Sequence, residues 1–446
     1  MEKNRLLHEK ISTLFIAFVL PSVIAEVICG IQGIVDGIFI GNYVSANAMS
    51  SINIVSPYIS LSIGFIMVVC TGAVSYLGRA IGEKDFIKAK DIFKSSFVGL
   101  GVMIATLALI GFIEAKPIAL LLGANEVLLA DAITYIRVYV IFIPFLAFMN
   151  LFGFVNRLLG KPQLYLYGTI SCLITNVIAD YFVVKILNLG VAGAAFATGV
   201  AYIAGFVIVS GPLFRHDSVV NIFDGKYCWP HFKELSINGS SEGIGSASMA
   251  ITVFLFNAAF MHYVGEDGIA AFAIISYIGN FTSLAMFGIS DGIVSIVSCN
   301  YGAKAYDRVR KTFYSGVLVK FVLGLACFAI LTIFNRPIIG IFLQDNPLVL
   351  DIASAGSIYY AFSFLLVGFN ILQSGFNTAV GNAYSSLLIS GLRGVVFNFI
   401  GIMILPRMFD LTGVWMTFPF AEIATALVCV IIMFNKKKLY FKIEQE

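Results

Sequence analysis

Residues 11–40 read ISTLFIAFVLPSVIAEVICGIQGIVDGIFI, a long apolar stretch with two acidic side chains and no basic one. An α-helix needs about 20 mostly apolar residues to cross the hydrocarbon core of a bilayer. The apolar region of a secretory signal peptide is much shorter, at about 7–15 residues. The stretch therefore predicts a transmembrane helix close to the amino terminus.

The rest of the chain has the same character. Of its 446 residues, 59% are hydrophobic and 12% are charged, and the mean hydropathy is +0.94. A soluble domain carries about 25% charged residues, so this chain has too few charges to cover a soluble fold of its size. The net charge of +3 is small and indicates no nucleic-acid partner. The composition predicts an all-α integral membrane protein.

Charged or turn-rich breaks divide the chain into twelve apolar segments, each long enough to span a membrane. The predicted spans are 11–40, 46–77, 93–113, 127–156, 163–186, 191–213, 235–262, 268–299, 312–334, 348–378, 384–405 and 412–434. A polar stretch separates the first six spans from the last six. We predict an amino-terminal lobe over 1–214, a cytoplasmic linker over 215–234, and a carboxy-terminal lobe over 235–446 with a basic cytoplasmic tail.

The two halves repeat each other when the sequence is shifted by 220 residues. A shift of 221 relates the later spans. Matching pairs include Gly72 and Gly292, Gly82 and Gly302, Lys84 and Lys304, and, at the longer shift, Asn156 and Asn377. Because each half has an even number of spans, both halves enter the membrane in the same orientation. The repeat predicts two six-helix lobes related by a pseudo-two-fold axis along the membrane normal, with a cavity between them.

Lysine and arginine residues are distributed unequally between the two sides of the membrane. With a cytoplasmic amino terminus, 21 of them lie inside, among them Lys3, Arg157 and Lys442, and four lie outside. Arg137, Lys320 and Arg393 fall within spans. The positive-inside rule therefore predicts that both termini are cytoplasmic.

Six acidic residues fall inside the predicted spans, where a charge at the helix centre costs roughly 2.5–3.5 kcal/mol on insertion scales. They are Glu26, Asp36, Asp180, Glu242, Asp291 and Glu422. Such residues are functional candidates because selection for stability alone would remove them. Asp36 lies among Gly33, Gly37 and Gly41, a small-residue face that allows another helix to approach closely.

Asn176 and Asp180 are four residues apart and therefore share one helix face. Thr198 lies among small residues on the next span. If these faces meet Asp36, an oxygen-only cluster forms that suits Na⁺ or a proton shared between two carboxylates. The alternative is that Asn176 and Asp180 only hydrogen-bond within the bundle.

The other acids have less specific surroundings. Glu242 and Asp291 either line the cavity and attract a cationic substrate or lie at a helix end or in water. Glu26 and Glu422 either face water or pair with a base, for which Arg393 and Lys320 are the available partners.

These motifs resemble those of MATE (multidrug and toxic compound extrusion) transporters, nearest to the bacterial multidrug branch. The matching motifs are Leu20-Pro21, Val35-Asp36-Gly37-Ile38-Phe39-Ile40-Gly41, Ser241-Glu242 and Asn300-Tyr301-Gly302-Ala303-Lys304. The resemblance implies a two-lobe fold in a bacterial plasma membrane. It also implies efflux of lipophilic, often cationic compounds, driven by Na⁺ or H⁺ entry, by a monomer without a cofactor.

The resemblance implies a cation site at Asp36, Asn176, Asp180 and Thr198, which Na⁺ or a proton would occupy. Pro21 offers a place for the first helix to bend. The runner-up function is a flippase of the same superfamily for a lipid-linked saccharide, although such proteins often have fourteen helices and cationic cavities. The chain has no His-Glu-x-x-His motif or comparable nucleophile–base set at membrane depth, so we predict that it is not an enzyme.

Overall fold

The structure, a computed structural model, describes residues 5–343 and 346–441, and this part of the chain is almost entirely helical. Lys3 and Lys442, two of the predicted cytoplasmic charges, lie outside the described residues. The helices are α1 Arg5–His8, α2 Ile11–Tyr43, α3 Ala46–Gly82, α4 Phe86–Ile113, α5 Ala115–Leu121, α6 Glu126–Leu158, α7 Gln163–Asp180, α8 Gly190–Ser210, α9 Trp229–Tyr263, α10 Glu266–Gly302, α11 Tyr306–Ile333, α12 Asn335–Gly340, α13 Pro347–Ala361, α14 Phe364–Ala379, α15 Ala383–Gly391 and α16 Phe397–Phe441.

Twelve membrane spans can be counted in the described residues. Ten helices are long and apolar enough to cross a membrane, and α13 with α14, bent by 50°, makes an eleventh. One of the ten, Ala383–Lys436, has 54 residues and would be about 80 Å long if straight, over twice the hydrocarbon thickness of ~30 Å. Its backbone leaves the helical conformation at Phe409 and Asp410. A Cβ atom on Gly413 would overlap the carbonyl oxygen of Leu405, so the chain reverses there. This range therefore holds two spans, and the predicted count of twelve is confirmed.

Several helices differ from the predicted segments at their ends. α4 starts at Phe86 rather than at residue 93, because Asp85 caps it by accepting a hydrogen bond from the Lys88 amide at 3.0 Å. The predicted span 348–378 is broken between α13 and α14. There Ser363 Oγ donates to the Tyr360 carbonyl at 2.6 Å, a bond that competes with the helix backbone.

The two halves meet along α2, α3, α9 and α10, where glycines bring helix backbones into contact. A Cβ atom on Gly72 would overlap the Leu235 carbonyl oxygen and lie 3.2 Å from the Gly239 amide nitrogen. In the other half, a Cβ atom on Gly292 would lie 2.8 Å from Cα of Val19. Adding 220 to 72 and 19 gives 292 and 239. These two packings are therefore the same contact made twice.

A second pair of contacts follows the same shift near the ends of α3 and α10. A Cβ atom on Gly82 would overlap the carbonyl oxygen of Cys299, and one on Gly302 would overlap that of Arg79. Residues 79 and 82 become 299 and 302 when 220 is added. The pseudo-two-fold axis therefore passes between Gly82 and Gly302, as the repeat predicts.

Hydrogen bonds also join the halves at this end of the bundle. Arg308 Nη2 donates to the carbonyl oxygens of Leu6 at 2.9 Å and Glu9 at 2.8 Å. Asn238 Nδ2 donates to Ser75 Oγ at 2.8 Å. This end also carries most of the predicted cytoplasmic lysines and arginines. We call it the closed end, defined by Gly82, Gly302 and these bonds.

The predicted linker 215–234 packs on the first turns of α4. Lys90 Nζ and Asp224 Oδ2 form an ion pair at 2.7 Å, and this hydrogen bond lowers the pKa of Asp224. Gly225 has φ +84° and lies so close to α4 that a Cβ atom there would overlap the Lys90 carbonyl oxygen. The division of the chain into lobes at this linker stays a prediction.

Candidate functional site

The four residues predicted to bind a cation come together in the first half. Asp36 lies on α2, in the half of that helix away from the closed end. Asn176 and Asp180 are one turn apart at the end of α7, with exposures of 0% and 1%. Thr198 lies on α8. The side chains of Asn176, Asp180 and Thr198 all lie beside the Asp36 carboxylate, and Thr198 is within hydrogen-bonding distance of it.

The oxygens of this cluster face one another. Thr198 Oγ1 lies 3.5 Å from Asp36 Oδ2 and donates to the Ala194 carbonyl at 3.1 Å. A hydroxyl has a single hydrogen, so Thr198 donates to one of these two oxygens at a time. The carboxylates of Asp36 and Asp180 also lie beside each other and interact directly.

Several buried polar atoms of the cluster lack a hydrogen-bond partner among the described residues. These atoms are Asp36 Oδ1, Asp180 Oδ2, Asn176 Oδ1 and Asn176 Nδ2. Leaving a buried polar atom unpaired costs about 1–3 kcal/mol. The oxygen-rich donor set fits a hard cation such as Na⁺ or a proton held between two carboxylates. The role of the cluster as a cation site stays a prediction.

Two features beside the cluster gave no signal in the sequence. Tyr135 of α6 lies close to both Asp36 and Asp180. The segment Tyr181–Ile186 forms a π-helix directly after Asp180. The chain has 19 tyrosines, so one of them does not stand out. π-helical turns are rare and occur frequently at functional sites.

In the part of the chain that the structure describes, no other helix comes close to Gly33 and Gly37 on the glycine face beside Asp36. A Cβ atom on Gly33 or Gly37 would have no neighbour within 4 Å, and one on Gly41 would meet Met49 Sδ at 3.7 Å. Small residues permit close approach without enforcing it. α2 instead meets α10 nearer its start, around Val19.

The corresponding positions of the second half carry aromatic and small residues. Asp36 corresponds to Phe256 at a shift of 220, and Asp180 corresponds to Gly401 at a shift of 221. Phe256 is 0% exposed, and its ring stacks on Phe418 with the centroids 4.0 Å apart. The pseudo-symmetric structure therefore has an ionisable cluster in one half and an aromatic core in the other.

The predicted substrate-binding acids lie where the halves meet. Glu242 is on α9 and Asp291 on α10, and Glu26 of α2 is an electrostatic neighbour of both. Asp291 Oδ2 lies 3.3 Å from Arg157 Nη1. Our placement of Arg157 among cytoplasmic loop charges is wrong, because α6 continues to Leu158 and buries the arginine. The inside excess of lysine and arginine persists without it.

Glu422 pairs with a base, as one predicted alternative had it. Arg393 Nε donates to Glu422 Oε1 at 2.8 Å, and Asn370 Nδ2 donates to Oε2 at 2.6 Å. Lys320, the other suggested partner, donates instead to Ser290 Oγ at 2.6 Å. Glu422 therefore belongs to an internal polar network of the second half.

We expect Glu422→Gln to destabilise the protein by about 3 kcal/mol, because removing one partner of a largely buried ion pair leaves the other uncompensated. The unfolding temperature in detergent should fall by several degrees. Glu114→Gln is the matched control, since Glu114 is exposed in the structure. An unchanged unfolding temperature for Glu422→Gln would show that the pair contributes nothing.

The first long helix is continuous in this conformation. α2 runs from Ile11 to Tyr43 through Pro21. Proline has no N–H to donate to the preceding turn, and Ser22 Oγ donates nearby to the Phe18 carbonyl at 2.8 Å. The role of Pro21 as a hinge stays a prediction.

The chain is similar in sequence to a group of membrane transporters. The MatE family model matches it twice, over residues 21–182 and 243–404. These two matches cover well over half of the chain, one in each half. Multidrug export protein MepA of Staphylococcus aureus is 26% identical over 425 residues, which cover 94% of this chain and 92% of that protein.

The fold is similar to that of solved structures. One is described as the outward-facing conformation of a multidrug resistance MATE family transporter of the MOP superfamily. It has a TM-score of 0.93 at 18% identity and covers 99% of both chains. Another, described as MATE in the straight conformation, has a TM-score of 0.92 at 20% identity and covers 99% of this chain and 100% of that one. These likenesses show the twelve-helix, two-lobe fold.

Proposed function

Because the chain belongs to the MatE family of membrane transporters, we propose that it is an antiporter that exports drugs in exchange for Na⁺ or H⁺. Its substrates are lipophilic, often cationic compounds. It needs no cofactor, and one chain is the working unit because both lobes lie within it. It resides in the plasma membrane with both termini in the cytoplasm.

The observation that carries this proposal is the cluster of Asp36, Asn176, Asp180 and Thr198. Its two carboxylates come from different helices and include buried oxygens without partners among the described residues. A cation or proton there offsets one of the two negative charges and favours the packing of α2 against α7 and α8. Loss of the cation favours a different packing, and this difference in stability is what couples ion movement to a change of conformation.

The closed end supports alternating access. Backbone contacts at Gly82 and Gly302 hold the halves together on the side with the predicted cytoplasmic charges. Gly33 and Gly37 lie in the half of α2 away from the closed end, and a Cβ atom on either would have nothing within 4 Å. We propose that this conformation releases substrate outward, and that separation of the halves at the closed end admits substrate from the cytoplasm.

The charged residues where the two halves meet favour a cationic substrate over a lipid-linked saccharide. Three acids, Glu26, Glu242 and Asp291, are electrostatic neighbours there with a single base, Arg157, so the acids are in excess. An anionic lipid phosphate would be repelled by such a group, whereas an organic cation is attracted. The flippase alternative is therefore the weaker one.

Transport in proteoliposomes under separate gradients tests the proposal. Purified protein is reconstituted, and ethidium movement is followed with a Na⁺ gradient alone and with a proton gradient alone. We expect one gradient to drive ethidium transport at a rate about tenfold or more above that of protein-free liposomes. If folded protein responds to neither gradient, the antiport proposal is wrong.

A further inference from the structure

Arg157 is a buried cation held by its own half of the protein. It lies in the last turn of α6 and is 1% exposed. Its guanidinium carbon lies 4.1 Å from the centre of the Phe154 ring and 4.7 Å from that of Tyr165. The Tyr165 hydroxyl donates to Asn150 Oδ1 at 3.0 Å, which fixes that ring on α6. Arg157 therefore moves with the first half when the halves separate.

The partner of Arg157 belongs to the other half. Arg157 Nη1 lies 3.3 Å from Asp291 Oδ2 on α10, with side-chain exposures of 2% and 23%. The arginine is thus enclosed, while the carboxylate also faces the space between the halves. Arg157 Nε and Nη2 have no hydrogen-bond partner among the described residues. Among the described residues, Asp291 is therefore the one acid within ion-pairing distance of the guanidinium, which the Phe154 and Tyr165 rings also hold in place.

The helix that carries Asp291 is pressed against the first half on either side of it. A Cβ atom on Gly288 would lie 2.6 Å from Cα of Val23, and one on Gly292 would lie 2.8 Å from Cα of Val19. Opening the closed end must therefore pull Asp291 away from Arg157. Asp291 then lacks a direct ionic partner, because Lys320, its electrostatic neighbour in the same half, donates to Ser290 instead. Another cation can take the place of Arg157.

We propose that Arg157 is a specificity-determining residue, an internal cation that occupies Asp291 in the closed conformation and gives way to the positive group of a substrate. This inference rests on the proposed function, because it assumes that the halves separate and admit a substrate. A cationic compound replaces the lost ion pair when the halves separate, whereas a neutral compound leaves Asp291 unpaired. The exchange selects for charge by penalising uncharged ligands.

Equilibrium binding to the full-length protein in lipid nanodiscs tests the inference. We expect Arg157→Gln to bind ethidium about tenfold tighter than wild type, because no internal cation competes for Asp291. Arg157→Lys keeps the charge and should bind ethidium within about twofold of wild type. Nile red, a neutral lipophilic dye, should bind all three proteins alike. If Arg157 had only a structural role, Arg157→Gln would not tighten the binding of ethidium while leaving the binding of Nile red unchanged.

A second comparison keeps the inference testable if Arg157→Gln does not fold. Asp291→Asn leaves Arg157 buried without its partner, where it repels a cationic ligand. The double variant with Arg157→Gln removes that repulsion and should bind ethidium about tenfold tighter than Asp291→Asn alone. Equal ethidium affinity of these two proteins, or of wild type and a folded Arg157→Gln, would overturn the inference. If the variants differ in ethidium affinity as expected but the wild-type protein transports no ethidium in proteoliposomes, the proposed function is wrong. The inference that a cationic ligand replaces Arg157 at Asp291 then still holds.

Discussion

Protein carrying Asp36→Asn should bind ethidium but no longer export it under an ion gradient. Asparagine has nearly the shape of aspartate, so the packing of α2 against α7 and α8 is kept. It removes one of the two carboxylates that would hold the cation or proton. We expect gradient-driven transport to fall about 100-fold, since coupling depends on a difference in cation affinity between conformations.

The comparison needs a carboxylate of the same type outside the cluster. Asp217 lies exposed in the linker, and Asp217→Asn should transport at the wild-type rate. Resistance of a drug-sensitive host to ethidium is a second measurement, with expression of both variants checked by immunoblot. Wild-type resistance in cells that express Asp36→Asn would refute the assignment of Asp36 to the coupling site.

Gly302→Ala should prevent the two halves from packing together at the closed end. The new methyl group would overlap the Arg79 carbonyl oxygen, a backbone atom that cannot rotate away. The halves must then stay apart on this side, so the cycle cannot be completed. We expect drug export to fall about tenfold or more, because separating packed helices at a close contact costs at least 1–3 kcal/mol.

Exposure of Cys299 reports on the position of the two halves directly. Its side chain is 0% exposed beside the contact. In a variant with the other six cysteines replaced, a membrane-impermeant maleimide should label Cys299 much faster when Gly302→Ala is present. Gly340→Ala is the matched control, because a Cβ atom there meets nothing within 4 Å. Full transport with Cys299 still protected would show that the contact is not a barrier.

Much of the fold could be predicted because the membrane imposes a simple rule on span length and charge. The first span, the count of twelve and the repeat all follow from apolar length and from residues that recur at a constant shift. The break between α13 and α14 could not be predicted, because neither proline nor glycine marks it. There the Ser363 hydroxyl donates a hydrogen bond to the Tyr360 carbonyl. This bond depends on the rotamer of the serine side chain.

The site was predictable in part. Helical spacing places Asn176 and Asp180 on one face, and the structure brings them to Asp36. The placement of Arg157 failed because its partner, Asp291, comes from the other half, and a pairing between distant segments leaves no local pattern. The open glycine face beside Asp36 has a related explanation. Small residues on one face allow another helix to come close. Whether a helix does so depends on the packing of the whole bundle.

The contacts that repeat at a shift of 220 have the form of an interface between two copies of one subunit, in which each residue meets its partner reciprocally. A dimer of identical chains would have to carry every substitution twice. Fusion into a single polypeptide lifts that constraint, so Asp36 can stand where its counterpart is Phe256. The protein thereby keeps the symmetry of a dimer while carrying two neighbouring carboxylates in one half and stacked aromatic rings at the matching place in the other.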